Sequence, residues 1–303
     1  MSGHTGTAAP WRATLAGVGA IALWATLASL GTLSGNVPPF QLTALSFALA
    51  TLVGVAYVVA TGQGWSLFAS VPLASWLLGV YGLLGYHVVY FLAIRLAPPV
   101  EVSIIAYLWP LLIVLFSGLL PASAGGTRLR WWHVVGAVTG FAGAALVPFA
   151  RGGGVEFSGS LVGYLAALLA AFIWSSYSVA SRLFAAVPTA AVTGTCALTA
   201  VGAAVGHVLL ETTVWPSGTT EWAATVLLGL GPVGIAFYLW DAGMKRGHLR
   251  LLGVLSYATP VLSTLLLIAL GLGSGGPLIW LAVGLVVTGA LLAAADTILA
   301  RSK

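Results

Sequence analysis

Residues 107–120 read YLWPLLIVLFSGLL, and residues 257–270 read YATPVLSTLLLIAL. Both stretches lack charged residues, and in both a proline follows three positions after a tyrosine. Apolar stretches of this kind are typical of helices that are buried in a core or in a membrane. The tyrosine and the proline recur after 150 positions, which indicates that the chain consists of two related halves.

The composition separates a membrane protein from a soluble one. Of the 303 residues, 60% are hydrophobic and only 6% are charged, whereas soluble domains carry about 25% charged residues. So few charged groups cannot cover a soluble fold of this size, and we expect lipid around most of the chain. This excludes an ordinary cytosolic or secreted enzyme and a disordered chain. The single cysteine, Cys196, excludes an intrachain disulfide.

Apolar stretches with the length of a membrane-spanning helix recur along the chain. A spanning helix needs about 20 apolar residues, whereas a spanning strand needs about 10 residues of alternating polarity. The stretches here are long and apolar on all sides, and Gly/Pro-rich loops separate them. We therefore predict an all-α integral membrane protein with ten transmembrane helices, at 13–34, 39–60, 72–94, 100–120, 132–150, 159–180, 189–210, 221–242, 249–271 and 277–297.

The basic residues predict the orientation of these helices. If the N-terminus is cytoplasmic, only Arg95 and Arg151 of the 11 Lys and Arg residues fall outside. Because basic residues accumulate in cytoplasmic loops, we predict a multi-pass protein with both termini in the cytoplasm. The basic residues on the cytoplasmic side are Arg12, Arg128, Arg130, Arg182, Lys245, Arg246, Arg250, Arg301 and Lys303.

The two halves share further matches. Each half holds five predicted spans, and an odd number of spans inverts the second half relative to the first. We predict two inverted five-helix repeats, 1–152 and 153–303, an arrangement typical of secondary transporters with a substrate site near the midplane. The matched pairs are Trp24 with Trp174, Trp76 with Trp222, Gly85 with Gly231, and the VTG of 138–140 with the VTG of 287–289.

In its ten spans, its two five-helix halves and its prolines inside spans 4 and 9, the chain resembles the drug/metabolite transporter superfamily with paired EamA-type domains. The aromatic-rich first span and the run HVVYFLAIRLAPPVEVSIIAYLWPLL at 87–112 resemble the YddG-type aromatic amino-acid exporters. This resemblance implies a carrier of the bacterial inner membrane that exports aromatic and other neutral amino acids by alternating access. We expect one copy of the chain to suffice.

Pro110 and Pro260 lie within spans 4 and 9. Each lacks an N–H group, so the carbonyls four residues earlier, at Ala106 and Ser256, lose their helical partners. In lipid these carbonyls need another donor, such as a substrate ammonium, a water or a hydroxyl. The two prolines are therefore predicted hinges, and the alternative is a packing kink that local adjustment satisfies.

Three tryptophans fall at mid-depth instead of at an interface. With nearby tyrosines, including Tyr86, they predict an apolar cavity that suits an aromatic side chain, and serine hydroxyls suit the charged ends of an amino acid. The alternative for each aromatic residue is ordinary core or lipid contact. The predicted substrate-binding residues are Trp24, His87, Tyr90, Tyr107, Trp109, Trp174, Ser175, Ser176, Tyr177, Ser256 and Tyr257.

Ionisable groups inside the spans are few. His87 lies within span 3 and is predicted to bind a substrate carboxylate or carry a proton. The alternative is a neutral imidazole bonded to a carbonyl. No acid falls at mid-span. Glu101 and Asp241, near span ends, are candidate gates or proton sites, and the alternative for both is a solvated loop end.

Sequence motifs of enzymes are missing. The chain has no HExxH, Walker or nucleophile-elbow motif and no Cys/His ligand set, and its two GxGxxG matches, 229–234 and 271–276, follow no strand. We expect neither catalysis, nor a cofactor, nor a metal, nor a nucleic-acid partner. One alternative is export of another metabolite, such as a nucleotide sugar or a drug-like solute, although the basic residues map to span ends and loops. The others are an intramembrane enzyme and a structural membrane component.

Overall fold

The computed structural model describes residues 8–124, 126, 128–150, 160–271, 276–293 and 295, and all the regular structure in these ranges is helical. Arg151, Arg301 and Lys303 of the predicted charge pattern lie outside them. The α-helices are Ala8–Trp24, Leu27–Leu33, Pro39–Ala60, Ser66–Ser70, Leu73–Val80, Tyr86–Leu96, Pro99–Ala106, Trp109–Ser117, Trp131–Ala150, Leu161–Ala180, Val192–Leu210, Thr219–Leu230, Ala236–Arg246, Leu249–Leu255, Ala258–Ala269 and Pro277–Ala293.

Eight helical stretches within the described residues are long and apolar enough to cross a membrane, and two apolar helices are shorter. The predicted all-helical membrane fold is confirmed at this level, and the count of ten spans stays a prediction. The ten stretches are called segments 1 to 10 in chain order: Pro10–Leu33, Pro39–Ala60, Leu73–Leu96, the shorter Glu101–Ser117, Trp131–Ala150, Leu161–Phe184, Thr189–Leu210, Thr219–Arg246, Leu249–Ala269 and the shorter Pro277–Ala293.

Segments 4 and 9 are each built from two helices. Segment 4 is interrupted at Tyr107 and Leu108, and segment 9 at Ser256 and Tyr257. Pro110 lies in the first turn of the second helix of segment 4, and Pro260 takes the third position of the second helix of segment 9. Proline is tolerated in a first helical turn, where the missing N–H has no intrahelical partner. The prolines therefore begin new helices at these breaks.

Segments 3 and 8 each contain a single π-helical turn, Tyr81–Gly85 and Gly231–Ile235. The second turn follows the first by 150 residues, the same offset that relates Trp24 to Trp174. In this register Tyr81 corresponds to Gly231. The predicted match of Gly85 to Gly231 is therefore not the structural register of these segments.

The most extensive contacts join segment 5 to 10, segment 2 to 7, segment 1 to 8 and segment 6 to 3. If each segment is replaced by its counterpart five positions away in chain order, the same set of pairs results. Glycines permit the closest crossing: a Cβ on Gly136 would lie 2.7 Å from the carbonyl oxygen of Gly289. Small residues that let backbones approach are typical of helix contacts in membranes.

The loops meet at two ends of the bundle. At one end, here called the basic end, the Arg182 guanidinium donates to the carbonyl oxygens of Ala124 (3.1 Å), Met244 (3.2 Å) and Gly247 (2.9 Å). These contacts bring together loops that the charge pattern predicts on one side of the membrane.

At the opposite end, the Glu211 carboxylate accepts hydrogen bonds from the backbone N–H groups of Phe40 (3.0 Å) and Gln41 (3.1 Å). It also pairs with Arg95 at 3.5 Å. Glu211 thereby neutralises the positive end of the helix that begins at Pro39, and it joins segments 2, 3 and 7 there.

Candidate functional site

The structure brings Trp24, Trp109 and Trp174 into mutual contact. The ring centroids lie 6.4 Å apart for Trp24 and Trp109, 5.7 Å for Trp24 and Trp174, and 6.3 Å for Trp109 and Trp174. All three pairs meet edge to face, the arrangement that the ring quadrupoles favour. Segments 1, 4 and 6 each supply one ring. These rings, here called the aromatic cluster, hold three segments together at the predicted site.

The orientation of Trp24 is fixed by segment 8. Its indole N–H donates to the carbonyl oxygen of Pro232 at 2.9 Å. Pro232 lies in the π turn Gly231–Ile235, and single π turns of this kind are frequent at functional sites. The irregular turn therefore provides the acceptor that holds this ring in the cluster.

Sequence analysis missed two members of the aromatic cluster on segment 8. The Trp240 ring lies 4.9 Å from that of Trp24, and the Phe237 ring lies 5.8 Å from that of Trp174. Trp240 is fully buried, and its indole N–H donates to the Ser178 hydroxyl at 3.1 Å. The repeat contained the signal, because Trp240 and Phe237 follow Tyr90 and His87 by 150 residues.

Tyrosines of segment 3 border the cluster. The Tyr86 ring lies 5.6 Å from Trp174 and stacks on Tyr90 at 5.6 Å. Tyr90 hydrogen-bonds Ser103, and the phenol of Tyr107 is close enough to that of Tyr86 to interact electrostatically. Hydroxyl groups therefore adjoin the tryptophans, as an amphipathic site requires.

The aromatic cluster has a buried side and an accessible side. Trp174 and Trp240 are buried, whereas Trp24, Trp109 and Tyr86 are half-buried. Surface for contact with a further molecule therefore lies on the side formed by segments 1, 3 and 4.

His87 bonds within its own helix. Its Nδ1 lies 2.7 Å from the carbonyl oxygen of Leu83, so Nδ1 carries a proton and donates. The ring meets Phe47 edge to face at 5.2 Å and Tyr86 at 5.3 Å. The structure thus places His87 at the edge of the aromatic cluster, in the carbonyl-bonded state that the sequence left open as the alternative.

Each of the predicted serines donates its hydroxyl proton to a carbonyl of its own helix. The Ser175 hydroxyl donates to Ala171 (2.8 Å), and the Ser256 hydroxyl donates to Leu252 (2.7 Å), in each case to a carbonyl of the same helix. The Ser176 hydroxyl donates likewise to its own helix and meets the Tyr81 hydroxyl at 2.9 Å. In a helix the carbonyl four residues earlier is the nearest acceptor for a serine.

The Ser256 carbonyl, predicted to lack a partner, accepts a hydrogen bond from the backbone N–H of Thr259 at 3.0 Å. A tight turn between the two helices of segment 9 supplies this donor. Local adjustment, the alternative weighed for the prolines, therefore satisfies this carbonyl.

Tyr257 packs in a different apolar cluster, whereas Tyr177 borders the aromatic cluster. Tyr257 is fully buried, and its hydroxyl accepts from the Leu111 N–H at 3.0 Å, which ties the break of segment 9 to that of segment 4. Tyr177 packs against Gly82. Its ring lies 5.4 Å from Trp174, between the aromatic cluster and the basic end.

The structure corrects the environments expected for the charged residues at span ends. Glu101 is buried and receives a hydrogen bond from the Tyr164 hydroxyl. Asp241 pairs with Lys245 at 2.9 Å, and each side chain is only 5% exposed. Neither acid is solvated, because each has a partner that compensates its desolvation. In the part of the chain that the structure describes, no group of three or more His, Cys, Asp or Glu residues could hold a metal.

Comparison with known proteins identifies the relatives of this chain. The EamA-like transporter family matches residues 11–149 and again residues 161–295. The aromatic amino acid exporter YddG of Ancylobacter novellus is 54% identical over 290 residues, which cover 95% of this chain and 98% of that protein. YddG of Escherichia coli K12 is 27% identical, with 84% of this chain and 87% of that protein covered. A crystal structure with 52% sequence identity superposes with a TM-score of 0.89 over 96% of this chain and 99% of the other. The resemblance predicted from the sequence is confirmed.

Proposed function

The chain belongs to the EamA-like transporter family, and on that premise we propose that it exports aromatic amino acids through the aromatic cluster. The observation that carries the proposal is the contact of Trp24, Trp109 and Trp174 next to the tyrosines of segment 3. The name of the relative that is 54% identical supports the same substrate class. Other neutral amino acids fit the same site with less apolar contact.

The chemistry of the cluster suits a zwitterion with an aromatic ring. The indole rings bury apolar surface and present edges and faces for stacking. The hydroxyls of Tyr86, Tyr90 and Tyr107 provide polar contacts without a permanent charge, which would be expensive to bury in lipid. Helix ends adjoin the cluster, since one helix ends at Trp24 and another begins at Trp109, and their partial charges complement an ammonium and a carboxylate.

Transport by purified protein in liposomes tests this function. Labelled phenylalanine, tryptophan, tyrosine and threonine are offered in counterflow, with and without a pH gradient. The proposal expects exchange of the aromatic amino acids above that of protein-free liposomes. Absence of phenylalanine exchange by folded protein would refute it, and the pH gradient distinguishes proton coupling from facilitated diffusion.

We also propose that ten spans form two inverted halves, 1–152 and 153–303, which alternate in opening the site to either side. Three observations support this. The family matches the chain twice, and the most extensive segment contacts stay the same when each segment is replaced by its counterpart in the other half. The two π turns also lie 150 residues apart, as Trp24 and Trp174 do. The basic residues favour the basic end as the cytoplasmic one, with both termini there and the protein in the inner membrane.

Single cysteines test this orientation. In a variant whose native Cys196 is replaced by serine, Ser66→Cys lies in the predicted cytoplasmic loop after segment 2, and Ser217→Cys in the predicted external loop before segment 8. Both serines are exposed. An impermeant thiol reagent is expected to label position 217 in intact cells and position 66 only after permeabilisation. The reverse pattern would show that the orientation is wrong.

The breaks in segments 4 and 9 are proposed hinges. Pro110→Ala or Pro260→Ala introduces an N–H group that favours helix across the break, so transport is expected to slow several-fold with little loss of folded protein. Exchange rates at matched protein amounts measure this. Pro148→Ala is the matched control, because Pro148 also lies inside a helix but away from both breaks. Unchanged rates in both hinge variants would assign the prolines to packing alone.

A further inference from the structure

Lys245 separates two spaces at the basic end. On one side lies an internal cavity of about 30 Å³, whose lining includes Tyr177, Thr195 and Asp241. On the other side lies an open depression of about 420 Å³, whose lining includes Arg182. Lys245 contributes to the walls of both spaces. The internal cavity has room for water but not for an amino acid, so an amino acid does not fit on this side of Lys245 in the present arrangement.

The ion pair at this partition is fully bonded. The Lys245 ammonium lies 2.9 Å from Asp241 Oδ1 and donates to the Val187 carbonyl oxygen at 3.1 Å. The Thr189 hydroxyl donates to Asp241 Oδ2 at 2.8 Å. The pair thereby ties segment 8 to the connection between segments 6 and 7. Separating it without replacement would leave two buried charges unpaired, which is strongly destabilising.

The internal cavity adjoins the aromatic cluster. Tyr177 lines the cavity, and its ring lies 5.4 Å from that of Trp174. The depression, the Asp241–Lys245 pair, Tyr177 and Trp174 are therefore successive neighbours from the surface to the cluster. Both cationic groups of the depression, Arg182 and Lys245, attract a carboxylate.

We propose that Asp241 and Lys245 form a gate that selects zwitterions. The α-carboxylate of an amino acid pairs with Lys245 while its α-ammonium pairs with Asp241, so the two protein charges separate without either losing its partner. A ligand with one charge leaves one protein charge unpaired and does not open the gate efficiently. This inference rests on the proposed function, and it adds a recognition step for the charged end of the substrate.

Three probes that share the same aromatic ring test the contributions of the two substrate charges one at a time. Phenylalanine carries both, phenylalaninamide carries the ammonium alone, and 3-phenylpropionate carries the carboxylate alone. The wild type is expected to exchange phenylalanine at least about tenfold faster than either analogue. The double variant Asp241→Asn/Lys245→Gln removes both charges and keeps hydrogen-bonding groups for Thr189 and Val187. It is expected to lose most of this preference. The double variant Arg95→Gln/Glu211→Gln removes the ion pair of the opposite end and is expected to keep the preference.

The outcomes separate the gate from the function. Wild-type exchange of phenylalanine, with an unchanged preference in Asp241→Asn/Lys245→Gln, overturns the gate and leaves the function. An equal loss for all three probes in a folded variant also overturns it, because the pair is then structural. No phenylalanine exchange by the wild type refutes the function and the gate together.

A milder variant covers the case in which the double variant does not fold. Thr189→Val removes one donor to Asp241 and leaves both charges in place, so the pair is easier to open for a zwitterion. Faster exchange of phenylalanine with unchanged exchange of phenylalaninamide is expected. Equal rates of variant and wild type for phenylalanine contradict the gate.

Discussion

Phenylalanine transport by Trp109→Ala is expected to require about ten to a hundred times more substrate for the same rate. Trp109 is half-buried on the accessible side of the aromatic cluster, and its ring contacts those of Trp24 and Trp174. Loss of one such contact for a substrate ring costs on the order of 1–3 kcal/mol of apolar burial. Threonine has no ring to lose that contact, so its transport is expected to change far less. Counterflow at varied concentrations of the two amino acids measures the difference.

Trp280→Ala is the matched control for this experiment. Trp280 is 69% exposed in segment 10, so its removal changes tryptophan content without changing the aromatic cluster. Its phenylalanine and threonine transport are expected to match the wild type. If Trp109→Ala lowers the transport of both amino acids equally, or of neither, the cluster is structural and the proposed substrate contact is wrong.

Gly289→Val is expected to abolish most of the folded protein. A Cβ at Gly289 would lie 2.5 Å from the Gly136 carbonyl oxygen and 2.8 Å from the backbone nitrogen of Gly140. Both neighbours are backbone atoms, so they cannot turn away as a side chain can. Segments 5 and 10 have to separate over their whole crossing, and overpacking of this kind costs about 1–3 kcal/mol or more. The yield of monodisperse protein and its thermal midpoint in detergent measure the effect.

Gly284→Val is the matched control, because it makes the same substitution on a different face of the helix. Gly284 lies in the same helix, and a Cβ there meets no other atom within 4 Å. Its yield and thermal midpoint are expected to equal those of the wild type. Equal yields and midpoints for Gly289→Val and Gly284→Val would show that the segments 5 and 10 do not cross as described.

Hydropathy and the repeat predicted the membrane helices and the meeting of Trp24 with Trp174. The helices were predictable because insertion in lipid depends on the residue types along a stretch. The tryptophan contact was predictable because equivalent residues of two repeats take equivalent positions in the two halves. The serines were not predictable in this way. Whether a hydroxyl such as that of Ser175 points to a cavity or bonds its own helix depends on a rotamer and not on a pattern.

Two further features depend on contacts that the sequence does not show. Lys245 was assigned to a cytoplasmic loop because basic residues accumulate there. Its burial requires Asp241 one turn earlier and the Val187 carbonyl from another segment. Tyr257 was assigned to the substrate, but the break in segment 4 leaves the Leu111 N–H in need of an acceptor, and the Tyr257 hydroxyl meets it.

The π turns Tyr81–Gly85 and Gly231–Ile235 determine which residues of segments 3 and 8 contact the aromatic cluster. A π turn holds one residue more than an α-helical turn, so every later residue is rotated by about 100° relative to an uninterrupted helix. Tyr86 and Tyr90 follow the first turn, and Phe237 and Trp240 follow the second. A loop tolerates a one-residue deletion without a change in the helices that flank it. At these two places the same deletion would rotate the following half-helix and turn the residues that now contact the aromatic cluster away from it.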